Sequence, residues 1–311
     1  VTRPHTIRED TTMTLEQLRI FVAVAEFQHV TKAAKSLNLA QSAASATIAA
    51  LEARHGARLF NRVGRNIELT EAGRIFLTEA KAVLARVAAA ELTLAELGGL
   101  KRGNLLIQAS QTVAGYWLPR HLVVFRERFP GVEIDLRIGN SEQVAEAVHT
   151  GLAEIGFVEG EISDAALAVT PIARDQLVLV VGPDHPWSGA RRLDPRRLKE
   201  SAWVLREQGS GTRATFEAAL QDFGLGLADL NITLELPSNE AVRAAVEAGS
   251  AATVLSASVV VSALEAGLLK RIPLDLPERA FHMVQHRERH SSAATEALLQ
   301  IIRGKTATRK A

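Results

Sequence analysis

Gln41, Ser42 and Ser45 open a run, residues 41–55, whose apolar spacing suits a helix. Ala44, Ile48 and Leu51 follow the i, i+4, i+7 rule of a core face. At about 100° per residue, Ser42, Ala46 and Ala49 then point the other way, flanked by Gln41 and Ser45. A helix face turned only to water usually carries Glu and Lys; this one is small, polar and uncharged. Such a face can settle deep in a major groove, where Gln and Ser hydrogen-bond base edges or phosphates. Positive charge lies on its flanks, in Lys32, Lys35, Arg54, Arg58, Arg62 and Arg65. Residues 13–66 hold seven Lys/Arg against three Asp/Glu, a local excess that phosphates reward through counterion release. The plainer alternative is a small helical bundle with a basic surface. The hairpin expected over residues 63–70, glycine-containing with arginines near its tip, favours nucleic acid, because a basic wing adds minor-groove or phosphate contacts.

A second set of polar residues falls where strands are expected to end and helices to begin. These are Ser110 and Thr112, Asn140 and Ser141, Ser210, Gly211 and Thr212, and Asn239. Hydroxyls and free N–H groups at helix N-termini suit an anion, and Arg206 or Arg213 could add to that field. Each of these residues is also an ordinary N-cap. Capping alone, however, does not explain two glycines around Ser210. Catalysis has less support. His282, His286 and His290 are spaced i, i+4, i+8, but residues 280–284 read as a strand, which would not gather their imidazoles. His185 sits in a Pro-Asp-His-Pro turn. No paired carboxylates, Walker loop or nucleophile elbow is present, so the sequence predicts neither an enzyme nor a cofactor or metal site.

The elements that must carry these residues follow from periodicity. Residues 15–27 form an apolar helix with Leu18, Phe21, Val22 and Ala25 on one face. A short helix is expected over 31–37, with Thr31 as N-cap and Ala33 and Ala34 permitting close approach. Asn38 stands at the turn, where an unusual backbone angle is tolerated. From 70 to 97 a long helix carries Phe76, Ala80, Val83, Val87, Ala90, Leu94 and Leu97 at alternating spacings of four and three, a heptad seam suited to pairing with a second copy. Packing on its own domain is the alternative for that helix. Residues 98–104, rich in glycine and charge, read as a hinge. Beyond it strands are expected near 105–109, 133–138, 154–158, 176–181, 202–205, 232–236 and 253–255. Helices are expected near 114–128, 142–151, 212–223, 239–248, 258–266 and 292–303. Alternation of this kind implies α/β layers with mostly parallel strands.

Bulk properties are permissive. The 311 residues suit two or three domains, and a 47% hydrophobic share supports real cores. Net charge is only +1, so any nucleic-acid footprint must be local. There is no cysteine, which excludes disulfides, thiolate metal sites and cysteine nucleophiles. Residues 251–269, the most apolar run, are broken by Ser256, Ser258, Ser262 and Glu265, and no membrane span is expected. Residues 1–12 lack an apolar signal core; they are expected to be a flexible tail of a cytoplasmic protein.

The stretch 31–73 resembles the N-terminal domain of LysR-type transcriptional regulators. The residues that carry the likeness are Ala33-Ala34, Gln41-Ser42-Ala43-Ala44-Ser45, Leu51-Glu52, Gly56, Leu59-Phe60, Arg62, Arg65 and Leu69-Thr70-Glu71-Ala72-Gly73. Ala46, Thr47 and His55 depart from the usual pattern. The resemblance implies a winged helix-turn-helix over 13–70, a dimerising linker helix over 71–97, and an α/β effector-binding domain over 105–304 resembling periplasmic binding proteins. Its lobes would be about 103–168 with 275–303, and 169–274. The resemblance assigns double-stranded DNA to Thr31, Lys32, Lys35, Gln41, Ser42, Ser45, Arg62 and Arg65. It further implies a homodimer or homotetramer, and RNA polymerase as a partner. The stretches Ile138-Gly139-Asn140-Ser141-Glu142-Gln143-Val144 and Leu205-Arg206-Glu207-Gln208-Gly209-Ser210-Gly211-Thr212-Arg213 look like a branch that senses sulfur-containing oxyanions or related small anionic metabolites. A solute-binding protein of similar lobes is the alternative, but it would leave the winged domain idle.

Overall fold

The computed structural model describes residues 13–63, 66–96 and 103–304. The chain divides into two compact units that part near Glu91 and Leu92, inside the long helix. The expected tail, residues 1–12, lies outside the described residues, as do Leu97 and most of the expected hinge.

The first unit is helical with a small hairpin. Helix α1 (Leu15–Phe27) starts at a capping box: the Thr14 hydroxyl accepts from the Gln17 N–H at 3.2 Å and the Gln17 side chain accepts from the Thr14 N–H at 3.1 Å. Its buried residues are Leu18, Ile20, Phe21, Ala23, Val24 and Ala25, a wider face than the expected stripe, while Val22 is only half-buried. Helix α2 (Val30–Ser36) begins one residue earlier than expected. Extended His29 is its N-cap, without a side-chain cap, so Thr31 lies in the first turn and caps nothing. The reason is packing: Val30 leans on the core and enters the helix with it. Asn38 takes a left-handed φ of 56°, which turns the chain into helix α3 (Gln41–His55).

Strands β1 (Phe60–Val63) and β2 (Asn66–Leu69) pair antiparallel. Glu52 on α3 accepts the N–H groups of Leu59 and Phe60 at 2.7 and 3.1 Å, anchoring the hairpin to that helix. Helix α4 (Glu71–Glu96) packs so closely that a Cβ on Gly73 would overlap the Leu59 carbonyl oxygen. The expected seam of α4 divides. Phe76 and Ala80 pack into the core of their own unit, together with Leu77 and Leu84, whereas Val83 is 44% exposed and Ala90 is exposed. A helix that closes the helix-turn-helix core must spend its first turns on it.

The second unit is built on strands β3 (Gly103–Ser110), β4 (Val132–Gly139), β5 (Ile155–Glu159), β6 (Leu167–Val181), β7 (Ala202–Arg206), β8 (Asn231–Leu236), β9 (Ala252–Ser256), β10 (Lys270–Ile272) and β11 (Glu278–His286). Their order is β4-β3-β5-β11-β6-β9-β7-β8, with β10 on β6. The expectation of mostly parallel strands is corrected. β3 with β4 and β5, and β7 with β8 and β9, are parallel, but every pairing of β6 and β11 is antiparallel. These two strands pass between two separate cores. Leu105, Ile107, Phe125, Phe157, Phe281 and Leu298 belong to one; Leu179, Trp187, Trp203, Phe216 and Leu220 to the other. β6 is far longer than expected because its first half, with polar residues interspersed, is paired along β11. That ladder breaks register between Phe281 and His282, opposite Pro171, which has no N–H to give it.

Around the sheet lie α5 (Pro119–Arg128), α6 (Ser141–Thr150), α7 (Gly211–Asp222), α8 (Asn239–Ala248), α9 (Ala257–Glu265) and α10 (Ala293–Ile302). The single helix expected over 114–128 is two pieces. A π turn at Val113–Trp117 buries Trp117, and α5 restarts at Pro119, whose missing N–H is harmless only in a first turn. Short 3-10 turns at Pro195–Glu200 and Leu227–Asp229 and strand β10 carry too little periodicity to read from sequence. His282 and His286 lie along β11, with His290 in the turn after it.

Candidate functional site

In the first unit the expected reading face is open. Gln41, Ser42, Ala46 and Ala49 are exposed on α3, and Ser45 and Thr47 are half-buried. Ala44, Ile48 and Leu51 are buried on the opposite side, as their spacing predicted. Gln41 Nε2 donates to Ser45 Oγ at 3.0 Å, one turn away, so the two side chains lie together on the helix. Ala40 offers no side-chain cap to α3, and a phosphate oxygen suits such a helix start. Lys32 and Lys35 are exposed on α2, Thr31 beside them; Arg54 is exposed in the last turn of α3 and Arg58 in the connection after it. Arg62 belongs to β1, paired with Ile67. Arg65 lies outside the described residues.

In the second unit four of the expected ligand residues, carried on four different elements or their connections, meet at one point. That point is already occupied. Glu159, at the end of β5 and 2% exposed, receives the Ser110 hydroxyl on Oε2 and the Thr112 hydroxyl on Oε1 at 3.0 Å. Thr212 Oγ1, at the start of α7, approaches the same Oε1 at 3.5 Å. Asn239, first residue of α8, donates from Nδ2 to Thr112 Oγ1 at 3.1 Å. The expectation of free hydroxyls is therefore corrected: a buried donor is costly to leave unpaired, and the chain pairs these with a carboxylate of its own.

Buried cations stand behind the hydroxyls. Arg279 on β11 donates from Nη1 to Thr212 Oγ1 at 3.1 Å and is bound to Asp175 on β6 through Nε and Nη2, each at 2.7 Å. Asp175 also takes the Ser256 hydroxyl at 2.6 Å. Arg206 donates to Asn239 Oδ1 at 2.6 Å and grips Glu207 at 2.7 and 2.9 Å. Arg213 contributes nothing comparable: its guanidinium is held by Glu217 and Glu235 at 2.7 and 2.8 Å.

The other expected residues have different tasks. Ser141 Oγ donates to the Glu159 carbonyl at 2.9 Å, and Gly211 packs on that same oxygen, leaving no room for a Cβ. Asn140 bridges to the Gln208 carbonyl at 3.3 Å and caps α6 by accepting the Gln143 N–H at 3.0 Å. Ser210 is different again. It is 2% exposed and its hydroxyl has no partner. Glu159, Asp175 and Arg279 were missed from sequence. The one local signal was a carboxylate ending the otherwise apolar run Ile155-Gly156-Phe157-Val158.

A winged helix-turn-helix in one chain with a two-lobed α/β domain defines a DNA-binding regulator that carries its own ligand-sensing module. Residues 15–74 match the family described as bacterial regulatory helix-turn-helix protein, lysR family, and residues 98–307 match LysR substrate binding domain. The chain belongs to the LysR family of transcriptional regulators. It is 34% identical over 290 residues to the uncharacterized HTH-type transcriptional regulator YeiE of Escherichia coli (strain K12), covering 92% of this chain and 96% of that one. Its fold matches full-length CbnR, solved with its target DNA, with a TM-score of 0.69 at 22% identity over 94% of this chain and 100% of that one. The CcmR regulatory domain from Synechocystis PCC6803, solved in complex with 2-PG, matches with a TM-score of 0.60 at 26% identity over 67% of this chain and 99% of that one. The solute-binding alternative is thereby set aside. Among the described residues no helix is long and apolar enough to cross a membrane.

Proposed function

We propose that α3 reads double-stranded DNA through Gln41, Ser42 and Ser45, with Thr31, Lys32, Lys35, Arg62 and Arg65 on the phosphates. A small anionic effector binds between the lobes, about 103–168 with 275–303 and 169–274, and shifts the regulator between two arrangements on its operator. The observation that carries the effector site is the meeting of Ser110, Thr112, Thr212 and Asn239, drawn from both lobes, with the unpartnered Ser210 hydroxyl two residues before Thr212 in the chain. Asn140, Ser141 and Gly211 shape its wall. Solved relatives support both halves, one bearing target DNA and one 2-PG.

The chain pairs with a second copy through the rest of the α4 seam, where Val83 and Ala90 are exposed, giving two reading heads for a pseudo-palindromic site. The dimers pair into a tetramer, and the DNA-bound form contacts RNA polymerase. A footprint and bend assay on the full chain, with and without candidate anions, tests the switch. An effector must bind the two arrangements unequally to move the balance, so an identical footprint under saturating effector would end the proposal.

A further inference from the structure

We propose that Glu159 is a tethered occupant of the effector site: its carboxylate holds the donors an anionic effector needs, and the effector binds by displacing it. This rests on the cleft being an anion site, and it names the residue that sets which anions succeed.

The hydrogen-bond directions carry the argument. A serine or threonine hydroxyl has a single proton to give. Those of Ser110 and Thr112 go to Glu159, as does that of Thr212 at longer range. The oxygens behind them are already turned to cationic relays. Arg279 donates to Thr212, while Arg206 donates to Asn239, which in turn donates to Thr112. The hydroxyl protons of Ser110, Thr112 and Thr212 are thus all aimed at Glu159. Both arginines have carboxylates of their own, in Asp175 and Glu207, so neither is free to neutralise a second anion in the cradle. Two anions sharing a buried cradle also repel. The effector and the Glu159 carboxylate therefore exclude one another.

A space for the displaced side chain lies next to it, at a cost. Residue 159 adjoins a surface depression of about 720 Å³ lined also by Ser141, Gly160, Gly209 and Gly211. Glu142, Glu146, Glu161 and Asp164 line it too, a like-charged neighbourhood that favours return of the carboxylate to the cradle. Weak monoacids that merely equal the tethered group are selected against. An oxyanion with more acceptor oxygens than a carboxylate is favoured.

Calorimetric titration of the full chain with sodium sulfate at constant ionic strength tests this, comparing wild type, Glu159→Gln, Ser110→Ala and the double variant. Glu159→Gln is expected to bind sulfate at least about tenfold more tightly, which corresponds to a cradle open about a tenth of the time in the parent. Adding Ser110→Ala should remove that gain. Should Ser110→Ala weaken binding in the parent while Glu159→Gln binds no more tightly, the anion site stands and the tethered occupant is refuted. A Ser110→Ala that changes nothing in either background refutes the site itself. If neither the parent nor Glu159→Gln takes up sulfate, the proposal also falls, because a vacated cradle of aligned donors must accept an oxyanion. Should Glu159→Gln fold poorly, Glu159→Ala offers a second readout. Acetate, the excised group, should raise its melting temperature and leave that of the parent unchanged; no rise in Glu159→Ala refutes the proposal.

Discussion

The two binding surfaces solve opposite problems. On α3 the proposed reading groups, Gln41, Ser42 and Ser45, are exposed or half-buried, where water can serve them until DNA arrives, and the scaffold beneath them is apolar. In the cleft the binding groups are buried, water cannot do that service, and unpaired donors would destabilise the domain. The chain supplies Glu159, Asp175 and Glu207 to hold them. An exposed site can be read as a pattern on one helix. A buried one can be read only with its partners.

The sharpest test of this contrast is to break a cleft pair. Arg279→Met leaves the nearly buried Asp175 without its ion-pair partner and should cost about 3–5 kcal/mol in denaturant unfolding of the effector domain. DNA affinity of whatever remains folded should be unchanged.

Next in size is the reading face. Replacing Gln41, Ser42 and Ser45 together by Glu should lower operator affinity at least about a hundredfold, about 3 kcal/mol, with the melting temperature shifting little because the positions are not core. A large fall in melting temperature would show that the face is not free as described. Lys35→Ala should weaken binding evenly across sequences and reduce the salt slope by about 1, a change measured by titration at several salt concentrations.

Smaller effects separate the two scaffolds. Thr14→Ala removes the capping box of α1 and should destabilise the first unit by about 1 kcal/mol. In the second unit, His185 is 4% exposed; its Nδ1 accepts from the Trp187 N–H at 3.1 Å and its Nε2 lies 2.9 Å from Ser201 Oγ. Burial holds its pKa below the ordinary histidine value. A depressed value means that the unfolded chain takes the proton first. Stability from neutral His185 is therefore complete above the ordinary value and lost as pH falls through the folded one. Unfolding of the effector domain followed over mildly acidic pH should show this loss, and His185→Gln should flatten it.

Much of the first unit was legible. The bounds of α1 and α3 followed from spacing, and Ala44, Ile48 and Leu51 are buried as the pattern required. Thr31 misled because capping was judged by residue type, whereas the start of α2 was decided by where Val30 packs. Phe76 and Ala80 misled because a heptad seam has the same spacing whether it meets a second copy or its own domain. In the second unit most strands and helices were found, since burial on both sheet faces leaves apolar runs that local reading can count. The antiparallel role of β6 and β11 was not, because pairing partners about a hundred residues apart leave no local mark.

The amino-acid sequence alone determined which residues have the chemistry to meet DNA or an anion, and which stretches would be helices or strands. That information is local: residue type, periodicity and turn chemistry act within a few positions along the chain. Tertiary structure alone decided what those residues face. Ser110, Thr112, Thr212 and Asn239 are separated by up to 129 positions, yet they are gathered around Glu159 by two lobes joined through β6 and β11. A hydroxyl's partner is set by that convergence in space, and no spacing along the chain encodes it.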